Sequence, residues 1–194
     1  MRKDLITSLL AVLIFTLILG VAYPLVVTGA AQLLFPNAAR GSMVEHQGRT
    51  VGSRLIAQPF AGNGYFQPRP SQTEYAPAQT AFNNAGPNNR ATRDLIAANA
   101  REYLARERRY SPGLTLANLP VDAATGSASG VDPHISLRNA DIQANRVARV
   151  RGIAAGRMSR LIDEATDGRF LGVLGEPGVN VLELNIALEN EVAR

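Results

Sequence analysis

The sequence predicts an α/β protein with a single N-terminal transmembrane helix followed by one mixed α/β soluble domain. Two observations lead to this prediction. The chain carries no charged side chain between Leu5 and Ala39, and its remainder combines the hydrophobic spacing of helices with that of strands. We expect a short cytoplasmic N-terminus and the helix to occupy residues 1–36, and the soluble domain to occupy residues 37–194.

The first element is an almost wholly apolar stretch from Leu5 to Val27. A bilayer core of about 30 Å requires roughly 20 apolar helical residues, so this stretch is long enough to span it with some tilt. A cleaved signal peptide is the alternative, with Arg2 and Lys3 as its basic segment, but its apolar region would be only about 7 to 15 residues long. We therefore expect an uncleaved anchor that Pro24 ends or kinks.

The soluble part begins with turns and continues with a helix. Val51 to Gln58 predicts a short strand, and Pro59 to Asn89, rich in proline, asparagine and glycine, predicts ordered turns. Asn89 or Thr92 can cap a helix that runs to about Arg109. Its inward face is expected to contain Leu95, Ile96, Asn99 and Tyr103.

Three further elements complete the predicted domain. Ser136 is expected to cap a helix that runs to about Arg151. A shorter helix is expected near Met158 to Ala165, with Gly168 as its stop signal. In the last segment every second residue is aliphatic, which is the period of a half-buried strand. These residues are Leu182, Leu184, Ile186 and Leu188.

The composition excludes several functions. Lys3 is the only lysine in the chain, whereas a Walker A loop requires lysine, as does the phosphorylation sequence of a P-type pump, so the soluble domain is not the engine of an ATPase. The chain has no cysteine, which excludes disulfides and thiolate chemistry. His46 and His134 are too isolated in the sequence to indicate a metal site.

Arginines cluster in two places. Because Glu102 can pair with Arg106 four residues later and no aromatic platform accompanies the clusters, solvated helix faces are favoured over a nucleic-acid surface. The clusters are Arg101, Arg106, Arg108 and Arg109, and then Arg146, Arg149 and Arg151.

No catalytic constellation emerges from the loops. Gly126 to Gly130 resembles a nucleophile elbow, but Ala128 holds the position that the nucleophile would need. Asp132, His134 and Ser136 are triad residue types, yet no spacing rule places them in relay geometry. Gly172 to Gly178 predicts a turn and not a dinucleotide fingerprint.

The loop before the Ser136 helix is the remaining candidate for a binding site. Free backbone amides and the helix dipole favour an anion at a helix N-terminus, and the preceding serine-glycine run can wrap one. In the alternative, Ser136 and Asp132 satisfy those amides themselves. The candidate cofactor-binding residues are Ser127, Ser129, Gly130, His134 and Ser136.

Eight segments in order resemble the C subunit of the Kdp system, the high-affinity ATP-driven potassium uptake complex of bacteria and archaea. They are the anchor with Tyr23-Pro24, Gly52-Ser53-Arg54-Leu55-Ile56, Gly62-Asn63-Gly64-Tyr65-Phe66, Arg69-Pro70-Ser71, Pro120-Val121-Asp122, residues 125–132, Gln143 to Ala148, and residues 179–185.

The resemblance implies a non-catalytic accessory subunit in the cell membrane. Its partners would be a channel-like potassium-binding subunit, a P-type ATPase subunit, a small single-helix subunit and membrane lipid. The family is described as a catalytic chaperone that raises the affinity of the ATPase subunit for ATP. The resemblance brings no catalytic residues, so ATP is expected only through the ATPase subunit and no directly bound cofactor is expected.

Membrane orientation decides between two versions of this role. Arg2 and Lys3 on one side face Arg40 and Arg49 on the other, but long domains translocate largely regardless of charge, which favours a cytoplasmic N-terminus and an extracytoplasmic domain. Such a domain would brace the channel-like subunit at the potassium entrance without touching nucleotide. A free-standing anchored periplasmic enzyme or solute-binding protein is the alternative of a different class, and it would purify alone.

Overall fold

The computed structural model describes residues 1–78, 84–86 and 88–192 of the chain. The contacts divide the chain into two compact units, Met1–Met43 and Val44–Arg194. Within the turn-rich segment expected over Pro59 to Asn89, positions 79–83 and 87 lie outside the described residues.

The first unit is built around one long helix. Helix α1 (Arg2–Leu17), a π-helical turn (Ile18–Ala22) and helix α2 (Tyr23–Leu34) follow one another without a break, and the short helix α3 (Pro36–Ala39) comes next. The run from Arg2 to Leu34 has 33 residues, and its most apolar window of 18 residues has a mean hydropathy of 2.7. It is long and apolar enough to cross a membrane.

Of the two effects expected of Pro24, ending or kinking the helix, the first does not occur. The helix continues to Leu34, and the wider π-helical turn lies directly before the proline, where the N–H of Tyr23 bonds to the carbonyl of Ile18. Proline has no N–H, and its ring clashes with the carbonyl one turn earlier in a regular α-helix. A local π-helical turn accommodates both effects.

Within the described residues, the β strands form two small sheets. Strands β1 (Met43–His46) and β2 (Arg49–Ser53) form a two-stranded sheet. Strands β3 (His134–Ile135), β4 (Thr166–Asp167) and β5 (Gly178–Asn180) form a second sheet in the order β3-β5-β4, with both pairings antiparallel. The chain is thus a mixed α/β protein.

The strand expected over Val51 to Gln58 is shorter and begins earlier. It is β2, which ends at Ser53 because the chain turns there, and the Ser53 hydroxyl accepts a hydrogen bond of 3.1 Å from the N–H of Leu55. Serine commonly caps a turn in this way.

Helices α4 (Arg90–Glu107) and α5 (Leu137–Arg151) start where their caps predict. Asn89 Oδ1 accepts from the N–H of Thr92 at 3.1 Å, and Ser136 Oγ accepts from the N–H of Asn139 at 3.2 Å. Two 3-10 turns lie between these helices. They span Leu116–Asn118 and Val121–Ala123.

The expected inward face of α4 is correct only in its second half. Tyr103 is buried, together with Ala100 and Glu107, but Leu95 and Ile96 are 40% and 36% exposed. The buried residues follow the helical spacing from Ala100 onward. The first half of α4 therefore contributes little to the core.

The helix expected near Met158 is α6 (Ala155–Glu164), and Gly168 is not its stop signal. The helix ends at Glu164 with Ala165 as its C-cap, and strand β4 already occupies the next two residues. Pairing of β4 with β5 draws the chain out of the helix before the glycine is reached.

The strand expected over residues 182–189 is wrong, because this segment is helix α7 (Val181–Val192). Its buried residues include Val181, Leu184, Asn185 and Leu188, which have the i, i+3, i+4, i+7 spacing of a helical face. Leu184 and Leu188 are core residues as expected, since a spacing of four residues lies on one face of a helix as well as of a strand.

The main hydrophobic core lies between α5, α6, α7 and β5, and a smaller one joins α4 to the loops before α5. The main core consists of Phe66, Ile135, Ala140, Val147, Met158, Leu161, Ile162, Ala165, Val179, Val181, Leu184 and Leu188. The smaller one consists of Tyr103, Leu114 and Ala123.

Candidate functional site

The loop with the predicted anion-binding residues is closed by its own serines. Ser127 Oγ accepts from the N–H groups of Gly130 at 3.0 Å and Asp132 at 3.4 Å, and Ser129 Oγ accepts from the N–H of Val131 at 3.2 Å. Gly130 has a φ of +75°, and an added Cβ would lie 2.8 Å from the hydroxyl of Thr73. These amides already have partners within the chain.

The start of α5 carries a carboxylate from the chain itself. Asp122 accepts hydrogen bonds of 2.8 Å from both the N–H and the hydroxyl of Ser136, and one of 2.9 Å from the side-chain amide of Asn139. A negative charge is favourable at a helix N-terminus. The geometry agrees with the alternative in which side chains of the protein itself bond to the start of the helix. The carboxylate, however, is that of Asp122 and not that of Asp132 as expected.

The side chain of His134 belongs to a separate network of charged side chains. Its Nε2 is 2.8 Å from the carboxylate of Asp167, and Asp167 in turn accepts from Arg54 at 2.6 Å. Arg54 also donates to Glu183 at 2.6 Å. At the other end, Asp132 accepts from the N–H of His134 at 3.0 Å and from Arg69 at 3.1 Å.

These contacts shift the pKa values of the titratable groups. The carboxylate of Asp132 raises the pKa of His134, burial opposes this effect, and Asp167 adds to it. Burial by itself would raise the pKa of Asp132 and Asp167, but the bonds from His134 and the nearby arginines outweigh it and lower both values. The ion pair of His134 with Asp167 links strand β3 to strand β4.

The prediction that the arginine clusters form solvated helix faces is wrong for Arg146, which is fully buried. Its side chain and that of Glu107 are both fully buried, with Nε of Arg146 at 2.9 and 3.0 Å from the two carboxylate oxygens. The guanidinium also donates to the carbonyls of Asn63 at 2.5 Å and Tyr65 at 2.9 Å, and to Gln143 Oε1 at 3.0 Å. Burial lowers the pKa of Arg146, and Glu107 opposes this effect.

The comparisons with known proteins decide the family. The KdpC family model, described as the c chain of the K+-transporting ATPase, matches residues 5–190. The chain belongs to the KdpC family. A Potassium-transporting ATPase KdpC subunit of Mycobacterium tuberculosis H37Rv is 45% identical, and the match covers 97% of this chain and 99% of the relative.

Other members of the KdpC family match equally well. The Geobacter sulfurreducens subunit is 46% identical over 96% of this chain and 97% of its own. The Rhodospirillum rubrum subunit is 47% identical over 97% of this chain and 96% of its own. The similarity thus includes both the apolar helix and the α/β domain.

Three of the segments that resemble the KdpC family meet at one buried place. Arg146 holds the carbonyls of Asn63 and Tyr65 as described above, and Asn185 bonds to both the N–H and the carbonyl of Phe66 at 2.9 Å. Gln143 likewise bonds to both backbone groups of Gln67, at 2.8 and 3.0 Å. Side chains from α5 and α7 therefore take the place of a neighbouring strand for residues 63–67.

This network was not predicted from the sequence. Asn139, Gln143 and Arg146 share the buried face of α5 with Ala140 and Val147. Polar residues at the spacing of an apolar face are a recognisable signal of buried hydrogen bonding. Their partners lie up to 83 residues away, so the sequence shows the signal but not the partners.

Proposed function

We propose that this chain is a non-catalytic accessory subunit of a potassium-transporting ATPase, anchored by one helix, with its α/β domain outside the cytoplasm. The observation that carries the proposal is the helix from Arg2 to Leu34, which is 33 residues long and apolar enough to cross a membrane. Such a helix is suited to lipid and to the helices of other subunits. Long domains translocate largely irrespective of flanking charge, which supports the orientation.

The domain is proposed to brace the channel-like potassium-binding subunit near the potassium entrance, within a complex that also includes a P-type ATPase subunit and a small single-helix subunit. Relatives named Potassium-transporting ATPase KdpC subunit support the membership of such a complex. The brace requires a rigid domain, and the buried bonds of Arg146, Gln143 and Asn185 provide that rigidity.

Direct nucleotide binding by this chain is not part of the proposal. ATP is a cytoplasmic ligand, and the carboxylate of Asp122 already accepts the hydrogen bonds at the start of α5. A second anion at this position would be repelled by the negative charge of Asp122. An effect on the ATP affinity of the ATPase subunit would then arise through assembly of the complex.

Photolabelling of the assembled complex with a photoreactive ATP analogue tests this point. The label is expected on the ATPase subunit, with competition by ATP, and not on this chain. ATP-competable label on residues 126–136 of this chain would contradict the proposal and support the direct chaperone role. Purification of this chain alone, free of the other subunits and with its own activity, would contradict membership of the complex.

A further inference from the structure

The loop between β4 and β5 ends in an exposed apolar tip, residues 170–174. Within these five residues Phe170, Leu171, Val173 and Leu174 are 69%, 79%, 71% and 59% exposed. Single exposed apolar residues are common, but a contiguous group marks a surface that contacts something apolar. The core of the domain does not account for these side chains.

The tight turn of the tip holds a leucine in a backbone conformation that is unfavourable for this residue type. Leu171 has a φ of +52° and Gly172 a φ of +75°, a pair of positive values that suits asparagine and glycine in a tight hairpin turn. A leucine is costly there because its Cβ is crowded in the left-handed region. An exposed leucine kept in such a conformation indicates a role outside the folding of the domain.

The tip is prepared for an apolar environment. Phe170 and Leu174 exchange two backbone hydrogen bonds of 2.8 and 3.0 Å, and the N–H groups of Gly172 and Val173 bond to carbonyls within the turn at 3.0 and 3.2 Å. Immersion in hydrocarbon is costly for backbone groups that lack partners. Most backbone donors of this tip would keep their partners on leaving water.

A polar collar separates the tip from the sheet. Arg169 Nη2 lies 3.0 Å from both carboxylate oxygens of Glu176. The tip with its collar therefore has the apolar end and charged base of a segment that enters a bilayer interface.

We infer that the tip formed by residues 170–174 inserts into the interface of the lipid bilayer and gives the domain a second point of attachment to the membrane. Only residues 35–43 lie between α2 and the second unit, and a chain of this length spans at most about 30 Å. The domain is thus tethered at a membrane surface. A tip of four side chains is also much smaller than the roughly 20 to 30 residues per side of a standard protein interface.

The inference rests on the membrane anchor of the proposed function but holds on either side of the membrane. The test uses the full chain in its assembled complex in nanodiscs, with the single cysteine of Leu171→Cys carrying an environment-sensitive fluorophore. Since the chain has no cysteine of its own, the label is unique within it. Ala105→Cys, at an exposed position of α4, is the matched control.

Nanodisc lipids that carry a spin label in the upper acyl chain are expected to quench the Leu171→Cys fluorophore and not the control, and its emission should be shifted to the blue. Adding Val173→Asp should abolish both effects. Quenching by aqueous iodide equal to that of the control would overturn the inference by showing a tip in water. Protection from both quenchers would also overturn it, because a partner protein would then cover the tip.

Discussion

Replacing Arg146 by methionine tests the buried network most sharply. The substitution leaves the fully buried carboxylate of Glu107 with Arg106, at 2.9 Å, as its remaining ion-pair partner among the described residues, and removes the donors to the carbonyls of Asn63 and Tyr65. Removing one member of a buried ion pair typically costs about 3 to 5 kcal/mol, because the other charge stays buried. For a chain of this size, that loss corresponds to a decrease in melting temperature of about 6 to 20 °C.

The assay is a thermal melt of the full chain in detergent, followed by circular dichroism. Arg149→Met is the control, because Arg149 lies exposed on the same helix and surface substitutions usually change stability by about 0.5 kcal/mol or less. The double variant Arg146→Met with Glu107→Leu is expected to lose less than Arg146→Met alone, since no buried carboxylate remains and Arg106, which also pairs with Glu107, is partly exposed. Equal melting of Arg146→Met and Arg149→Met would refute the reasoning.

Three further predictions concern helix α7, the network of charged side chains around His134, and the start of helix α5. Leu184→Asp should cost several kcal/mol, because it buries a charge on α7. Glu183→Ala should cost about 1 kcal/mol or less, because its ion pair is partly exposed. The reverse order in thermal melts would contradict the burial of Leu184 in the core. Because the pKa of His134 is raised, its contribution to stability is complete below its unfolded-state pKa of about 6.5 and is lost as the pH rises through the higher folded-state value. The variant His134→Gln should remove this decline from melting temperatures measured against pH. An unchanged decline would assign it to another group. Asp122→Asn should lower the stability by about 1 kcal/mol, because it removes the negative charge at the start of α5. A melting temperature equal to that of the parent would show that the carboxylate does not stabilise the helix.

The helices that carry their own end signals could be predicted from the sequence. Helices α4 and α5 begin at Asn89 and Ser136 because side-chain caps act over three residues, within the reach of a local pattern. The anchor was equally accessible, since its length and composition follow directly from the thickness of a bilayer.

Helix α7 was missed because its hydrophobic pattern fits two periods. Leu184 and Leu188 lie on one face in a strand as well as in a helix, and the buried Asn185 broke the helical stripe. Asn185 is buried because it bonds to Phe66, 119 residues away. A local signal did exist, since Asn180 caps α7 through the N–H of Glu183 at 3.2 Å and has the asparagine-to-glutamate spacing of a helix start.

The candidate site could be predicted only in part for a related reason. The sequence located the loop of residues 126–136, and the serines there do bond to nearby amides. It did not reveal Asp122 at the start of α5 or the buried pair of Arg146 and Glu107, because these contacts depend on how distant segments pack. Buried polar contacts of long range are set by the tertiary structure.

The extracytoplasmic placement of the domain is the central claim, and labelling of a single cysteine tests it most directly. In spheroplasts that express the complex, Ala105→Cys is expected to react with a membrane-impermeant thiol reagent before lysis, and Asp4→Cys, at the N-terminal end of the anchor, only after lysis. Reaction of Ala105→Cys only after lysis, with Asp4→Cys labelled beforehand, would contradict the claim and place the domain on the side where ATP is bound.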